Sequence, residues 1–383
     1  MALDQETLNQ LLTTLDRFVQ ERLIPAERQV ADADAIPDDI LHDIRELGLF
    51  GLSIPESHGG LGLNMVEEIE VAMVIGQAAP AFRSIFGTNV GIGSQAIVLD
   101  GTDAQKDTYL PRLASGDLIG SFCLTEPEAG SDAGSLKTSA KRDGDHFILN
   151  GTKRFITNAP LAGLFTVMAR TDADSKDARG VSAFLVEAGT PGLTVGKPEK
   201  KMGQQGAPVA DVIFDNCRVP AANIIGGREN MGFKTAMKVL DKGRLHISAV
   251  CTGLARRILR DTVRYAKDRR QFGGTLSDFQ LIQAMIADSE TEIYAAECMV
   301  RDAAKARDAG ENTKRKASCA KLFASEMVGR VADRAVQIHG GAGYIADYGI
   351  EQLYRDVRLF RIYEGTTQIQ QLIIAKDVIA SLD

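Results

Sequence analysis

No CxxC pair occurs among the five cysteines, at positions 123, 217, 251, 298 and 319. Zinc ribbons and thioredoxin-like redox motifs both need that spacing, so neither is supported. An odd, scattered set predicts buried thiols in a reducing compartment. The five histidines are equally dispersed, with no HExxH and no His-plus-Cys cluster, and no metal site is predicted. Positive charge is not in excess: 44 Lys and Arg stand against 51 Asp and Glu, a formal charge of −7. A general nucleic-acid binder needs a basic face, which argues against that class. No run of 18 apolar residues exists, so no membrane span is predicted. The opening MALDQETLNQ has neither the basic and apolar regions of a signal peptide nor an Arg-rich transit character. The expected location is the cytoplasm. What remains is a globular profile, 44% hydrophobic and 25% charged over 383 residues. That length suggests two or three packed units with a core that needs no staples.

The periodicity of the chain changes twice. Leu8, Leu11, Leu12, Leu15, Phe18, Val19 and Leu23 recur at helical spacing. Ile40, Leu41, Ile44 and Leu47 repeat it, and Gly48 follows as a stop. Pro55 and His58-Gly59-Gly60 mark a loop, after which Val66, Ile69, Met73 and Val74 resume the helical pattern. From about residue 121 short β-branched and aromatic runs take over: HFIL, RFIT, LFTVMAR, VSAFLVE and ADVIFDNCRVP. Asn150-Gly151 between two of them predicts a hairpin turn, and Pro191-Gly192 and Gly226-Gly227 predict loops. After Gly232 the helical period returns to the end, with one stripe from Met237 to Ile258 and another from Ile282 to Val300. The order helices, strands, long helices is α+β rather than an alternating βαβ sheet. It predicts units at 1–120, 121–225 and 226–383.

Several familiar motifs fail in context. Gly91-Ile92-Gly93-Ser94-Gln95-Ala96 has the letters of a dinucleotide fingerprint but follows a helical segment, not a strand, and reads better as a small-residue helix surface. Gly196-Lys197 lacks the rest of a P-loop, and no G-x-S-x-G nucleophile elbow exists. Three other segments carry chemistry. Ser121 to Asp132, SFCLTEPEAGSD, places a turn with Thr125 and Ser131 hydroxyls after an apolar strand, which suits a phosphate-bearing or heteroaromatic ligand. Arg361 to Gln370, RIYEGTTQIQ, sets Glu364 among apolar neighbours, where a carboxylate gains basicity and serves as a base. The plainer reading is an exposed Glu at a helix start with Thr366 near the cap. Gln337 to Tyr344, QIHGGAGY, has three glycines that permit close backbone approach.

Together these segments resemble the acyl-CoA dehydrogenase family. LTEPEAGSD, NGTKRFITNA, FDNCRVP, DRRQFG, QIHGGAGY and IYEGTTQIQ stand in that family's order and spacing across nearly the whole chain. The resemblance implies an N-terminal helical domain, a middle β-barrel-like domain and a C-terminal four-helix bundle. It implies FAD as cofactor, a homotetramer built as a dimer of dimers, and electron-transferring flavoprotein as the acceptor. The implied reaction is α,β-dehydrogenation of an acyl-CoA thioester to the trans-2-enoyl-CoA. Glu364 matches the base that removes the α-proton, and its main-chain N–H matches one donor to the thioester oxygen. In part of the family the base comes from the position matching Gly243, which here has no side chain.

The other roles follow by position. Phe122, Leu124, Thr125, Gly130 and Ser131 match the strand and loop that line the flavin, with Ser131 also near the CoA arm. Phe155, Ile156 and Thr157 match the segment behind the ring; many members have Trp where this chain has Phe155. Arg269, Gln271, Phe272 and Gln280 match the part that reaches a neighbouring subunit's FAD, Arg being suited to pyrophosphate. Gln337, Gly340 and Gly341 match adenine-side contacts, and Thr366 and Gln368 the remaining flavin contacts. Asp241, Arg244 and Gly365 match contacts to CoA and the reacting end of the substrate.

The acyl group is left open. A short, medium or branched chain is the first reading. Arg83, in AFRSIFGTN, lies where the glutaryl-CoA branch has an Arg that pairs with a distal carboxylate. Unpaired, such a buried Arg would be destabilising by roughly 3–5 kcal/mol. The plainer expectation is that Arg83 caps or salt-bridges a neighbouring helix. A dioxygen-using oxidase and a non-catalytic flavin- or DNA-binding relative are further alternatives; the acidic balance and the intact Glu364 argue against the last.

Overall fold

The computed structural model describes residues 3–175 and 177–382. Seven helices come first: α1 (Gln5–Phe18), α2 (Ile24–Ala33), α3 (Asp38–Glu46), α4 (Met65–Ile75), α5 (Pro80–Thr88), α6 (Gln95–Asp100) and α7 (Asp103–Ser115). Their starts carry the expected chemistry. The Asp4 carboxylate accepts from the Thr7 N–H, and Asn64 and Thr102 each form reciprocal caps with the residue three positions on. The stripe from Leu8 to Leu23 runs through α1 and a π-helical turn, Val19–Leu23, into α2. Leu15, Phe18, Val19 and Leu23 pack there with Ile40, Ile44, Phe50 and Phe82. The Gly91–Gly93 stretch lies in a second π-helical turn, Asn89–Gly93, not between a strand and a helix.

Seven strands follow: β1 (Gly120–Cys123), β2 (Ser139–Asp143), β3 (His146–Thr157), β4 (Leu164–Arg170), β5 (Val181–Glu187), β6 (Leu193–Val195) and β7 (Val209–Pro220). They make one curled sheet in the order β1-β4-β2-β3-β7-β6, with β5 also on β4. β1 and β4 are parallel, joined from Gly120↔Leu164 to Cys123↔Val167. The hairpin expected at Asn150-Gly151 is absent. β3 runs straight through these residues, and the turn falls earlier, where Asp143 pairs with His146 and Gly144 has φ +60°. Gly151 instead marks a register slip against β7, and a Cβ there would sit 2.5 Å from Thr138 Oγ1. The glycine permits close packing inside a bulged strand, so the local signal was right about glycine and wrong about its use.

The chain ends in α8 (Gly232–Asp268), a small ribbon of β8 (Arg270–Gln271) and β9 (Gly274–Thr275), α9 (Gln280–Asp308), α10 (Lys314–His339), α11 (Ile350–Val357) and α12 (Thr367–Ala380). α8, α9 and α10 share an apolar core, α12 lies along α10, and α4 packs on α8 and α9. The α4–α8 crossing is close: a Cβ on Gly253 would lie 2.1 Å from the Met73 carbonyl oxygen. No described helix is long and apolar enough to cross a membrane. Cys123, Cys217 and Cys251 are buried as expected, whereas Cys319 is half-buried and Cys298 is exposed on α9. The expectation failed at Cys298 because its side chain falls on the outer face of α9.

Candidate active site

A cavity of about 450 Å³ opens where the sheet meets the C-terminal helices. Phe122, Leu124 and Thr125 reach it from the end of β1, and Gly130 to Gly134 from the following loop. Phe155, Ile156 and Thr157 come from β3, Leu240 and Arg244 from α8, and Tyr363 to Gly365 from the turn before α12. Segments separated by more than two hundred residues thus converge on one space. A second cavity of about 200 Å³, beside α2 and the Ala346–Tyr348 turn, holds the paired Glu27 and Arg257 and no free acid.

The wall on the sheet side is fixed by a buried ion pair. Glu126 accepts from the Lys137 and Thr138 N–H groups at 2.6 and 2.9 Å and from Lys153 Nζ at 2.7 Å. Burial opposes its charge, but Lys153 and these hydrogen bonds outweigh that and hold the carboxyl below its usual range. Lys153 Nζ also donates to the Leu124 carbonyl at 3.3 Å, and the Arg154 N–H to that of Thr125 at 2.8 Å. The loop that follows β1 is thereby tied to β3. Phe155 stands at φ +57° and is 57% exposed, its ring covered on one side by the Arg154 guanidinium.

Glu364 occupies an unusual backbone. Its φ is +56° and that of Gly365 is +88°, two left-handed residues in succession. A non-glycine residue held there costs about 1–3 kcal/mol, which the surroundings must offset. Thr366 then caps α12 by accepting from the Ile369 N–H. The strained turn swings the carboxylate inward, over Gly243 on α8, where a Cβ would stand 2.8 Å from Oε2 and 3.1 Å from Oε1. Oε2 is buried and has no hydrogen-bond partner. Burial raises the Glu364 pKa, while the Arg83, Arg244 and Lys321 charges pull it back. The exposed-Glu reading is therefore excluded: the residue precedes a helix cap, but its carboxylate faces inward.

Arg83 also departs from the plainer expectation. It caps no helix and has no carboxylate partner among the described residues. Its guanidinium lies against Gly87, Nη2 is 3.1 Å from His246 Nδ1, and Nε has no partner. Burial, with the nearby Arg83 and Lys242 charges, pushes the His246 pKa well down. A neutral His246 accepts from Arg83 at Nδ1, which leaves the proton on a buried, unpartnered Nε2. The Arg83 cation is thus held beside Glu364 and Tyr363.

The structure gathers some expected site residues and leaves others apart. Phe122, Leu124, Thr125, Gly130, Ser131, Phe155, Ile156, Thr157, Arg244, Glu364 and Gly365 share the cavity. Asp241 is ion-paired with Arg244. Thr366 and Gln368 flank the cavity without lining it, and Arg83 sits behind Glu364. Arg269, Gln271, Phe272 and Gln280 lie at the far end of α8 and the start of α9, and Phe272 is 95% exposed. Gln337, Gly340 and Gly341 are at the end of α10, also away from the cavity. Sequence reasoning missed Met237, Tyr363, Ile369 and Ile373 as lining residues, and His246, Lys321 and Gln370 behind them. Met237 belonged to a stripe indistinguishable from core. Tyr363, Ile369 and Gln370 lie in the RIYEGTTQIQ segment, where only Glu364, Gly365, Thr366 and Gln368 were assigned roles, and Ile373, His246 and Lys321 carry no local signal.

The matches to known proteins cover the chain from end to end. The acyl-CoA dehydrogenase N-terminal, middle and C-terminal domain families match residues 5–117, 121–217 and 230–379. The chain belongs to the acyl-CoA dehydrogenase family. An acyl-CoA dehydrogenase of Bacillus subtilis is 42% identical over 359 residues, 94% of each chain. A 3-(aryl)acrylate reductase of Clostridium sporogenes is 40% identical over 379 residues, 97% of this chain and 98% of its own. The solved structure of butyryl-CoA dehydrogenase from Megasphaera elsdenii superposes with a TM-score of 0.94 at 34% identity, covering 99% of this chain and all of its own. The protein is accordingly an oxidoreductase acting on acyl-CoA, in a family of FAD-dependent flavoproteins. The cavity fits such a cofactor by its donor set. Apolar Phe122, Leu124 and Phe155 offer faces to a flat ring, and the Thr125, Ser131 and Thr157 hydroxyls offer polar contacts at its edge.

Proposed function

We propose that the protein binds FAD in this cavity and dehydrogenates an acyl-CoA thioester between its α and β carbons, with Glu364 as the base. The observation that carries this reading is the buried, unpartnered carboxylate oxygen of Glu364 facing a largely apolar cavity. An acyl-CoA α-proton is a poor acid, so a base must be both strong and correctly placed. Burial raises the affinity of Glu364 for a proton, and the Arg83, Arg244 and Lys321 charges work against that shift by favouring the ionised form. Proton removal leaves negative charge on the thioester oxygen, which the Glu364 main-chain N–H is assigned to stabilise. Bound FAD supplies the acceptor for the β-hydrogen and its electron pair. Phe122, Leu124, Thr125, Gly130, Ser131, Phe155, Ile156 and Thr157 hold the flavin, and Asp241, Arg244 and Gly365 the reacting end of the substrate.

Arg269, Gln271, Phe272 and Gln280, with Gln337, Gly340 and Gly341, are remote from this cavity. An exposed Phe272 and two cationic residues at 269 and 270 suit an FAD held by a second copy, which supports a homotetramer of paired dimers. Electron-transferring flavoprotein is the proposed electron acceptor and the cytoplasm the proposed location. A short, medium or branched acyl group is the first substrate reading. The second, a dicarboxylyl-CoA, is favoured by one observation: a buried Arg83 with a free Nε and no carboxylate partner. Anaerobic bleaching of the flavin by butyryl-, octanoyl-, isobutyryl-, isovaleryl- and glutaryl-CoA separates them. Fast bleaching by a monocarboxylic member supports the first; bleaching by glutaryl-CoA alone makes Arg83 the specificity residue. A bound flavin that none bleaches, with reoxidation by an enoyl- or arylacrylyl-CoA, would place the enzyme among reductases.

A further inference from the structure

We propose that Lys321 is a positioning residue for the base, its ammonium pinning the left-handed Glu364–Gly365 turn so that the carboxylate faces the cavity. The inference rests on Glu364 being the base. Lys321 lies on α10 with none of its side chain exposed, and its Nζ donates to the Gly365 carbonyl at 2.7 Å. Among the described residues it has no carboxylate within ion-pairing distance. A buried charge without a counter-ion is expensive, and an aliphatic side chain would fill the same space at lower cost. Among the described residues its one polar contact is to the residue after the base, inside the strained turn.

A second clamp acts on the same turn. Gln370, fully buried on α12, donates from Nε2 to the Glu364 carbonyl at 3.1 Å and the Gly365 carbonyl at 3.2 Å. Two side chains from two helices thus satisfy the carbonyls of two consecutive left-handed residues. Without them the turn can relax, and a small displacement of a reacting group has a large kinetic effect.

Lys321 also acts through charge. Arg83 on α5, Arg244 on α8 and Lys321 on α10 each favour the ionised form of Glu364, while burial opposes it. Around Lys321 itself stand the Cys251 thiol on α8, Glu364, Arg244 and Glu326. Burial pushes its pKa down to about 8. Burial works against this ammonium, so replacing it with an apolar side chain of similar length should leave the thermal midpoint close to that of wild type.

The test uses holoenzyme of wild type, Lys321→Met, Gln370→Leu and Glu364→Gln, with the fastest-bleaching acyl-CoA of the panel above. Lys321→Met is expected to retain flavin and thermal midpoint. It should slow anaerobic bleaching at saturating substrate by about ten- to a hundredfold and leave the half-saturating concentration within about threefold. Its acid limb should move to higher pH, because a cation beside Glu364 is gone. Gln370→Leu should slow bleaching in the same way without that shift, and carries the test if Lys321→Met does not fold. Wild-type rates and pH profile in Lys321→Met, or a defect confined to flavin content or half-saturation, would overturn the proposal. If wild type bleaches with no acyl-CoA, or Glu364→Gln bleaches normally, the assignment of the base fails instead.

Discussion

Gly243→Ala should slow the enzyme by about ten- to a hundredfold while leaving it folded. The added Cβ would stand 2.8 Å from Glu364 Oε2, 3.1 Å from Oε1 and 3.2 Å from the carboxyl carbon. Ordinary contact needs roughly 3.4 Å, so the carboxylate must retreat by about 0.6 Å. The crowded atoms are the end of a flexible side chain, not backbone, and α8 need not move. Catalytic groups need placement within about 0.5 Å, and a 1 Å error costs about a hundredfold. The bleaching rate constant at saturating acyl-CoA should therefore fall by about ten- to a hundredfold, or about 1.4–2.7 kcal/mol in barrier. The assay is stopped-flow loss of flavin absorbance under anaerobic conditions, paired with thermal unfolding of the same preparations. The thermal midpoint should move by no more than about 2 °C, in keeping with a cost of less than 1 kcal/mol. An unchanged rate would show that the carboxylate seated over Gly243 is not the reacting group. A large loss of stability would show that helix packing, not the base, sets the residue at 243.

Two further outcomes follow from buried charge. Lys153→Met leaves Glu126 without its cation and should destabilise the β domain by roughly 3–5 kcal/mol; the checks are a thermal midpoint lower by at least about 5 °C and weaker flavin retention on dilution. Asp356 is buried, accepts from the Gln204 N–H, and has its pKa pushed up to about 7 by burial. Its folded form binds a proton that the unfolded chain releases, so this contribution is full below about pH 4 and lost as pH rises through 7. Asp356→Asn should flatten the thermal midpoint between pH 5 and 8 and raise it at pH 8; a profile parallel to wild type would refute the assignment.

The fold was largely legible because its signals are local. Helical spacing located the stripe through Leu15 and Val19 and the long helices α8 and α9, and β-branched runs located the strands. Asn150-Gly151 misled because the same dipeptide serves a tight turn or a bulge where another strand approaches, and only the position of Thr138 decides. Within the site, Glu364, Phe122 to Ser131 and Phe155 to Thr157 were legible as motif segments. Their convergence was not, since it depends on how α12 and α8 meet the sheet. Arg83 and His246 are 163 positions apart and Lys321 and Gly365 are 44 apart. Arg83, His246 and Lys321 each look like an ordinary helix residue until packing removes their water. The left-handed backbone of Glu364 is equally silent in the letters, since the contacts to the carbonyls of its turn come from Lys321 and Gln370 on other helices.

The central claim is that Glu364 takes the α-proton. The direct measurement compares wild type and Glu364→Gln with equal flavin content, following anaerobic bleaching by the best acyl-CoA of the panel across pH 5 to 9. The account predicts that Glu364→Gln binds acyl-CoA but bleaches at least about a thousandfold more slowly, with no acid limb left in its profile. Bleaching at the wild-type rate, with the wild-type pH dependence, would contradict it.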